Sequence, residues 1–187
     1  MSPANAKSYA KMALENANKQ TILFNRGKSS GGGDGYMSAK DKIVSRPYLA
    51  KQYARQIESL TKSKVPDIQI KELKNALQAK EFGKVDKATH DKLRKAWKNP
   101  ERKEALRKQW EQKTGQKWPI YKKKGEIYRG DPLKNDMYYE GHHIIQLNHG
   151  GPNEWWNLRP MHPDAHDIIH SKKGMAYEIF TKKIKKD

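Results

Sequence analysis

The 187-residue sequence contains no cysteine, which excludes disulfides, thiolate metal sites and a cysteine nucleophile. It also lacks long apolar runs, and no stretch approaches the roughly 20 residues that a membrane-spanning helix needs. The opening residues Ser2 to Met12 have none of the apolar character of a secretory signal, so no signal peptide and no membrane insertion are expected. Acidic groups are in short supply, 21 against 39 Lys and Arg, which leaves a net charge of +18. With 35% hydrophobic residues, the chain must build an economical core beneath a charged surface. Such a charge favours a polyanion as partner.

The charge is unevenly placed. Residues 1–36 are net +3, residues 37–139 net +14 and residues 140–187 net +1. Histidine runs the other way: six of the seven, at 142, 143, 149, 162, 166 and 170, fall in the near-neutral last segment. One region is therefore suited to hold an anion and another to act on it. Residues 92–129 bring 14 Lys and Arg against four acidic residues, interleaved with Trp97, Trp110, Trp118 and Tyr121. This composition suits a sequence-independent grip on phosphates. Trp97 and Trp110, at helical spacing, are assigned to the core.

Residues 1–26 read as an N-terminal helix, with Ser2-Pro3 at its start, and residues 27–36 as a Gly/Ser-rich linker. The remaining domain, 37–187, is predicted to be α+β, mainly helical in front and ending in a ββα motif over about 137–174. Ser45-Arg46-Pro47 opens a helix carrying Leu49, Tyr53, Ile57 and Leu60, and Val65-Pro66-Asp67 opens one carrying Ile70, Leu73 and Leu77. Residues 87–98 form a third, and Asn99-Pro100 caps a fourth that stops at Gly115. Beyond Trp118 the pattern changes to strands and turns: a strand from Met137 to Leu147, a turn over 148–153 and a return strand from Trp155 to Arg159. A helix from Pro163 to Lys172, ended by Gly174, closes the motif.

Within that motif stand Glu140, His142 and His143, then Asn157, then His166 and His170. His166 and His170, four apart on a helix, project from one face, the minimum geometry for two ligands to one divalent ion. Adjacent His142 and His143 on a strand point to opposite faces, so only one of them readily joins that pair. The other is left as a neutral imidazole able to take a proton near pH 7. His149 and His162 read as loop residues, and His90 as a helix-surface residue.

This constellation resembles the HNH (His-Me finger) nucleases, most closely the DNase domain of colicins and S-type pyocins. Glu140-x-His142-His143 matches the family's Glu-x-His-His, followed by the Gly150-Gly151 turn, Asn157 and the His166-x-x-x-His170 pair. Upstream, Val65-Pro66-Asp67, Lys80-Glu81-Phe82, Arg94-Lys95-Ala96-Trp97 and Asn99-Pro100-Glu101 follow the helical half of those domains in order, so the likeness covers roughly 64–174. The resemblance implies His142, His166 and His170 as metal ligands, His143 as general base, Glu140 orienting that base and Asn157 pinning the hairpin loop. Where the family has a phosphate-handling Arg this chain has Asp136, and Arg129, Lys134 and Arg159 are the candidates to replace it. The loop between His143 and Asn157 is one residue shorter than the family's.

The implied activity is metal-dependent, largely nonspecific DNA cleavage by a bacterial toxin domain. Its cofactor is one divalent ion: zinc, another transition metal or magnesium. An acidic immunity protein is the implied partner, with its footprint between Trp110 and Asp136, and the chain is expected to be monomeric. The resemblance implies release or delivery from the producing bacterium and action in the target-cell cytoplasm, with residues 1–36 as the end of a delivery module. Two alternatives stand beside it. One is a non-toxin HNH endonuclease of a restriction, phage or mobile-element system. The other is a non-catalytic, zinc-containing DNA-binding module.

Overall fold

Strong local capping signals produce a run of helices before the first strand. In chain order these are α1 (Ala39–Ser45), α2 (Tyr48–Thr61), α3 (Asp67–Ala79), α4 (Lys87–Lys98) and α5 (Pro100–Thr114). The computed structural model describes residues 35–186, so the helix expected at 1–26, and the linker before Gly35, lie outside the described residues. The Asp86 side chain accepts from the Thr89 N–H to start α4, and Asn99 accepts from Arg102 N–H to start α5. Gly115, at φ 71°, ends α5 in the left-handed conformation. Helix α1 is an addition to the sequence reading. It is started by a reciprocal capping box in which Ser38 Oγ accepts from Asp41 N–H and the Asp41 carboxylate accepts from Ser38 N–H.

The strands are short: β1 (Ile120–Lys122), β2 (Ile127–Tyr128), β3 (Asp131–Pro132), β4 (Met137–Tyr138), β5 (Glu140–His143) and β6 (Leu158–Met161). They pair antiparallel as β1 with β4, β2 with β3, and β5 with β6. Helix α6 (Pro163–His170) follows β6, and a π-helical turn over Tyr177–Thr181 leads to the C-terminus. The architecture is thus α+β, helical in front with the β5–β6–α6 unit behind.

Three boundaries differ from expectation. The single strand foreseen over Met137 to Leu147 is split at Tyr139, whose N–H donates to Pro119 C=O and whose C=O accepts from Trp118 Nε1–H. Those bonds commit Tyr139 to the β1 side, so β4 and β5 enter different sheets. The return strand begins at Leu158, because Trp155–Asn157 tightens into a 3₁₀ turn. Helix α6 ends at His170, where Ser171 Oγ donates to Ile168 C=O and draws the chain out of the helix.

Two apolar clusters hold these parts together. Leu49, Tyr53 and Ile57 of α2 pack with Ile144, Ile145, Met161, Ile169, Ile179 and Phe180. Leu106, Trp110, Trp118, Trp155 and Leu158 form the other, with Trp97 against it. The turn between β5 and β6 is pinned by buried Asn157. Its Oδ1 accepts from Ile145 N–H at 2.7 Å, and its Nδ2 donates to the carbonyls of Ile145 (3.0 Å) and Pro152 (2.9 Å). Gly151 permits the turn to close this tightly, since a Cβ there would lie 1.8 Å from the Ile145 oxygen. Buried Lys42 plays a similar part at the C-terminus, donating to the carbonyls of Glu178, Ile179 and Lys182.

Candidate metal and catalytic site

Strand β5 and helix α6 bring three imidazoles to one point. The pleat sends Glu140 and His142 to one face of β5, and α6 presents His166 and His170 one turn apart. His142 Nδ1 lies 3.2 Å from His170 Nε2, which lies 3.1 Å from His166 Nε2. The other nitrogen of each ring is engaged elsewhere. His142 Nε2 is 3.0 Å from the Tyr53 hydroxyl, His166 Nδ1 is 2.8 Å from Glu140 Oε2, and His170 Nδ1 is 3.0 Å from the Gln146 amide. Burial pushes His142 well below the usual histidine range, and burial together with neighbouring His166 pushes His170 down to about 4. Both are therefore neutral at pH 7, the form that ligates metal. Three convergent imidazole nitrogens, each ring braced from behind, could hold a divalent ion of the nitrogen-ligated kind and leave coordination positions open.

His143 points to the other face, into a setting made by α4. Its Nε2 is 2.8 Å from Asn153 Oδ1, and Asn153 Nδ2 donates to the Leu93 carbonyl on α4 at 3.0 Å. With the amide NH₂ committed to Leu93, Asn153 offers its oxygen to the ring. His143 Nε2 therefore carries the hydrogen and Nδ1 the lone pair. Trp97 meets the His143 ring edge to face at 4.8 Å. Gly141, on the same face of β5, makes room for that indole, since a Cβ there would come within 2.6 Å of it. Burial pushes the His143 pKa down to about 4. Lys103, whose Nζ stands 5.1 Å from the Trp97 ring, adds a positive charge felt at His143.

These buried imidazoles make metal-free stability depend on pH. His143, His149 and His170 titrate near 4 when folded, against 6.5 for the free side chain, and burial is the main cause in each. The unfolded chain takes up protons between pH 6.5 and 4 that the native domain does not, so stability must fall as pH drops through that window. The urea midpoint of chelator-treated protein is expected to be lower at pH 5 than at pH 7. Equal midpoints would contradict the burial of these rings.

The HNH endonuclease family matches residues 124–172, which include the three convergent histidines, His143 and Asn157. This segment is an HNH endonuclease domain. The chain is 40% identical over 140 residues to toxin YxiD of Bacillus subtilis strain 168, covering 71% of this chain and 24% of that protein. It is 31% identical over 84 residues to the probable deoxyribonuclease RhsB of Dickeya dadantii strain 3937, covering 45% of this chain and 5% of that protein. An uncharacterized 38.5 kDa protein in psbA intron 1 of Chlamydomonas moewusii is 43% identical over 47 residues, 25% of this chain and 13% of that protein. The chain thus spans a quarter or less of the length of these relatives.

Other candidate residues of the HNH domain lie where the pleat and the burial put them. Glu140 shares the His142 face and meets His166, whereas the expected contact was with the base, His143. Arg159 is fully buried and cannot serve a phosphate. Its guanidinium donates to Gln116 Oε1 and to the carbonyls of Ser63 and Lys64, because β6 sends it into the cluster beside Trp110. Arg129 and Lys134 are exposed around the β2–β3 hairpin, with Arg129 over the Tyr128 ring. Asp136 accepts from Lys124 N–H and so anchors the lysine-rich loop. His149 is buried against Phe180 rather than open in a loop, and His162 starts α6 beside Tyr121 and Tyr139. Tyr53, Asn153, Gln146 and Lys103 were not singled out by sequence as site residues. Of these, Gln146 and Asn153 lie between His143 and Asn157, within the motif itself.

Among the described residues no helix is long and apolar enough to cross a membrane.

Proposed function

We propose that this chain is a metal-dependent DNA endonuclease of little sequence preference, acting as a bacterial toxin domain. The observation that carries the reading is a buried, neutral imidazole, His143, beside three convergent histidine nitrogens within an HNH endonuclease domain. His142, His166 and His170 would hold one divalent ion, and a nitrogen donor set suits zinc or another transition metal better than magnesium. Such an ion, when bound, supplies positive charge to a phosphate and to the oxygen leaving it.

The chain's own residues account for the remaining parts. His143 Nδ1 takes a proton from the water whose oxygen attacks phosphorus while the bond to the 3′-oxygen breaks. Asn153 holds the base through Nε2, and an arriving phosphate favours the imidazolium that His143 becomes. Lys103, with the exposed Lys and Arg of α4 and α5, gives a phosphate grip that requires no base contacts. The names of the relatives, a toxin and a probable deoxyribonuclease, support DNA as the substrate and toxicity as the outcome. An acidic neutralising protein is the partner that the +18 charge favours in the producing cell, and the cytoplasm of a recipient cell is the proposed place of action.

The test is nicking of supercoiled plasmid with added zinc, manganese, nickel or magnesium, with and without a chelator. Open-circular and linear products are expected with metal, none with chelator, and recovery when metal is returned. No cleavage with any of these ions would overturn the reading in favour of a binding module. Preferential cleavage of an RNA substrate would overturn the assignment of DNA.

A further inference from the structure

Tyr53 belongs by spacing to the apolar face of α2, between Leu49 and Ile57, and its ring is packed there, edge-on to Phe180. Its hydroxyl is the exception on that face. The oxygen lies 2.8 Å from the Ile144 carbonyl and 3.0 Å from His142 Nε2, and both His142 and Tyr53 are buried. We propose that Tyr53 is a positioning residue that fixes the ring tautomer of His142, so that Nδ1 presents a lone pair to the site shared with His166 and His170. This rests on the reading of His142 as a metal ligand.

A carbonyl only accepts, so the single phenolic hydrogen goes to Ile144. The oxygen then has only lone pairs to offer, and His142 Nε2 must be the donor. A neutral imidazole carries one N–H, so Nδ1 is left bare, and Nδ1 is the atom 3.2 Å from His170. His142 is completely buried, so no solvent molecule can take over from the hydroxyl. The braces on the other two rings differ. Glu140, an acceptor, holds a half-exposed position against His166, and the Gln146 amide can turn to suit either tautomer of His170. At His142 alone is the choice of nitrogen made by a neutral buried hydroxyl whose own hydrogen is already spent. Because Ile144 lies two residues beyond His142, the same hydroxyl also fixes the end of β5 that carries the ligand.

Tyr53→Phe removes the oxygen and keeps the ring. Zinc affinity, measured by competition with a chromophoric chelator, is expected to fall about 10- to 100-fold, as for other groups that brace a ligand from behind. Long-range ¹⁵N–¹H spectra of the metal-free wild-type protein are expected to show His142 in the Nε2–H form, and those of Tyr53→Phe to show a mixture or the Nδ1–H form. Phe180→Leu loosens the same packing while keeping the hydroxyl and is expected to retain near wild-type zinc affinity. The inference is overturned by a wild-type His142 in the Nδ1–H form, by unchanged zinc affinity in Tyr53→Phe, or by an equal loss in Phe180→Leu. The wild-type spectrum decides the matter if Tyr53→Phe fails to fold. A wild-type protein that binds no zinc would instead count against the metal reading, and the tautomer would still be read independently.

Discussion

His143→Ala is expected to reduce plasmid nicking by about 10²- to 10⁴-fold, the range that a positioned general base supplies, while zinc affinity stays near the wild-type value. The separation of the two effects follows from the pleat of β5. His142 faces α6 and the other two histidines, whereas His143 faces Asn153 and Trp97 and lends no nitrogen to the convergent set. Truncation also leaves the buried Asn153 oxygen without its donor, which costs about 1–3 kcal/mol of stability. The comparison must therefore be made at a temperature where circular dichroism shows the variant folded. Wild-type rates from folded His143→Ala would remove this residue from the mechanism. A parallel loss of zinc would show instead that it helps to build the metal site.

What could be read from the sequence was local. Asn99 and Gly115 mark helix ends through bonds to residues three or four away, Pro100 fills the first turn where no N–H is needed, and α5 starts and stops where those marks stand. The histidines were legible for the same reason, since adjacency on a strand and a spacing of four on a helix are short-range geometry. The groups that brace them were not. Tyr53 meets His142 across 89 positions and Asn153 meets Leu93 across 60, and nothing in a helical stripe distinguishes a tyrosine packed as an aromatic from one placed for its hydroxyl. Glu140 stands against His166 because the alternation along β5 puts residues 140 and 142 on one face, a contact that its nearness in sequence to His143 does not suggest. Arg159 looked available as a cation because burial is a tertiary property. Its partners at Ser63, Lys64 and Gln116 come from the loops before α3 and after α5.

His166→Ala is expected to abolish both zinc binding and nicking, with affinity lowered by about 100-fold or more, beyond what the loss of a brace alone costs. Removing this ring takes one of three convergent nitrogens and frees Glu140 from its contact. Zinc is then left with His142 and His170, too few ligands for a stable site. Glu140→Gln separates the two roles open to this carboxylate. If it acts through His166, as the 2.8 Å contact indicates, the variant should lose about 10- to 100-fold in zinc affinity and recover its rate at saturating zinc. If it acts on the base, affinity should be unchanged and the rate at saturating zinc should fall. Since Glu140 is about half exposed, its substitution leaves the core intact, so either outcome can be read without a change in folding. Unchanged zinc affinity in His166→Ala would exclude this histidine as a ligand and require the ion to be held elsewhere.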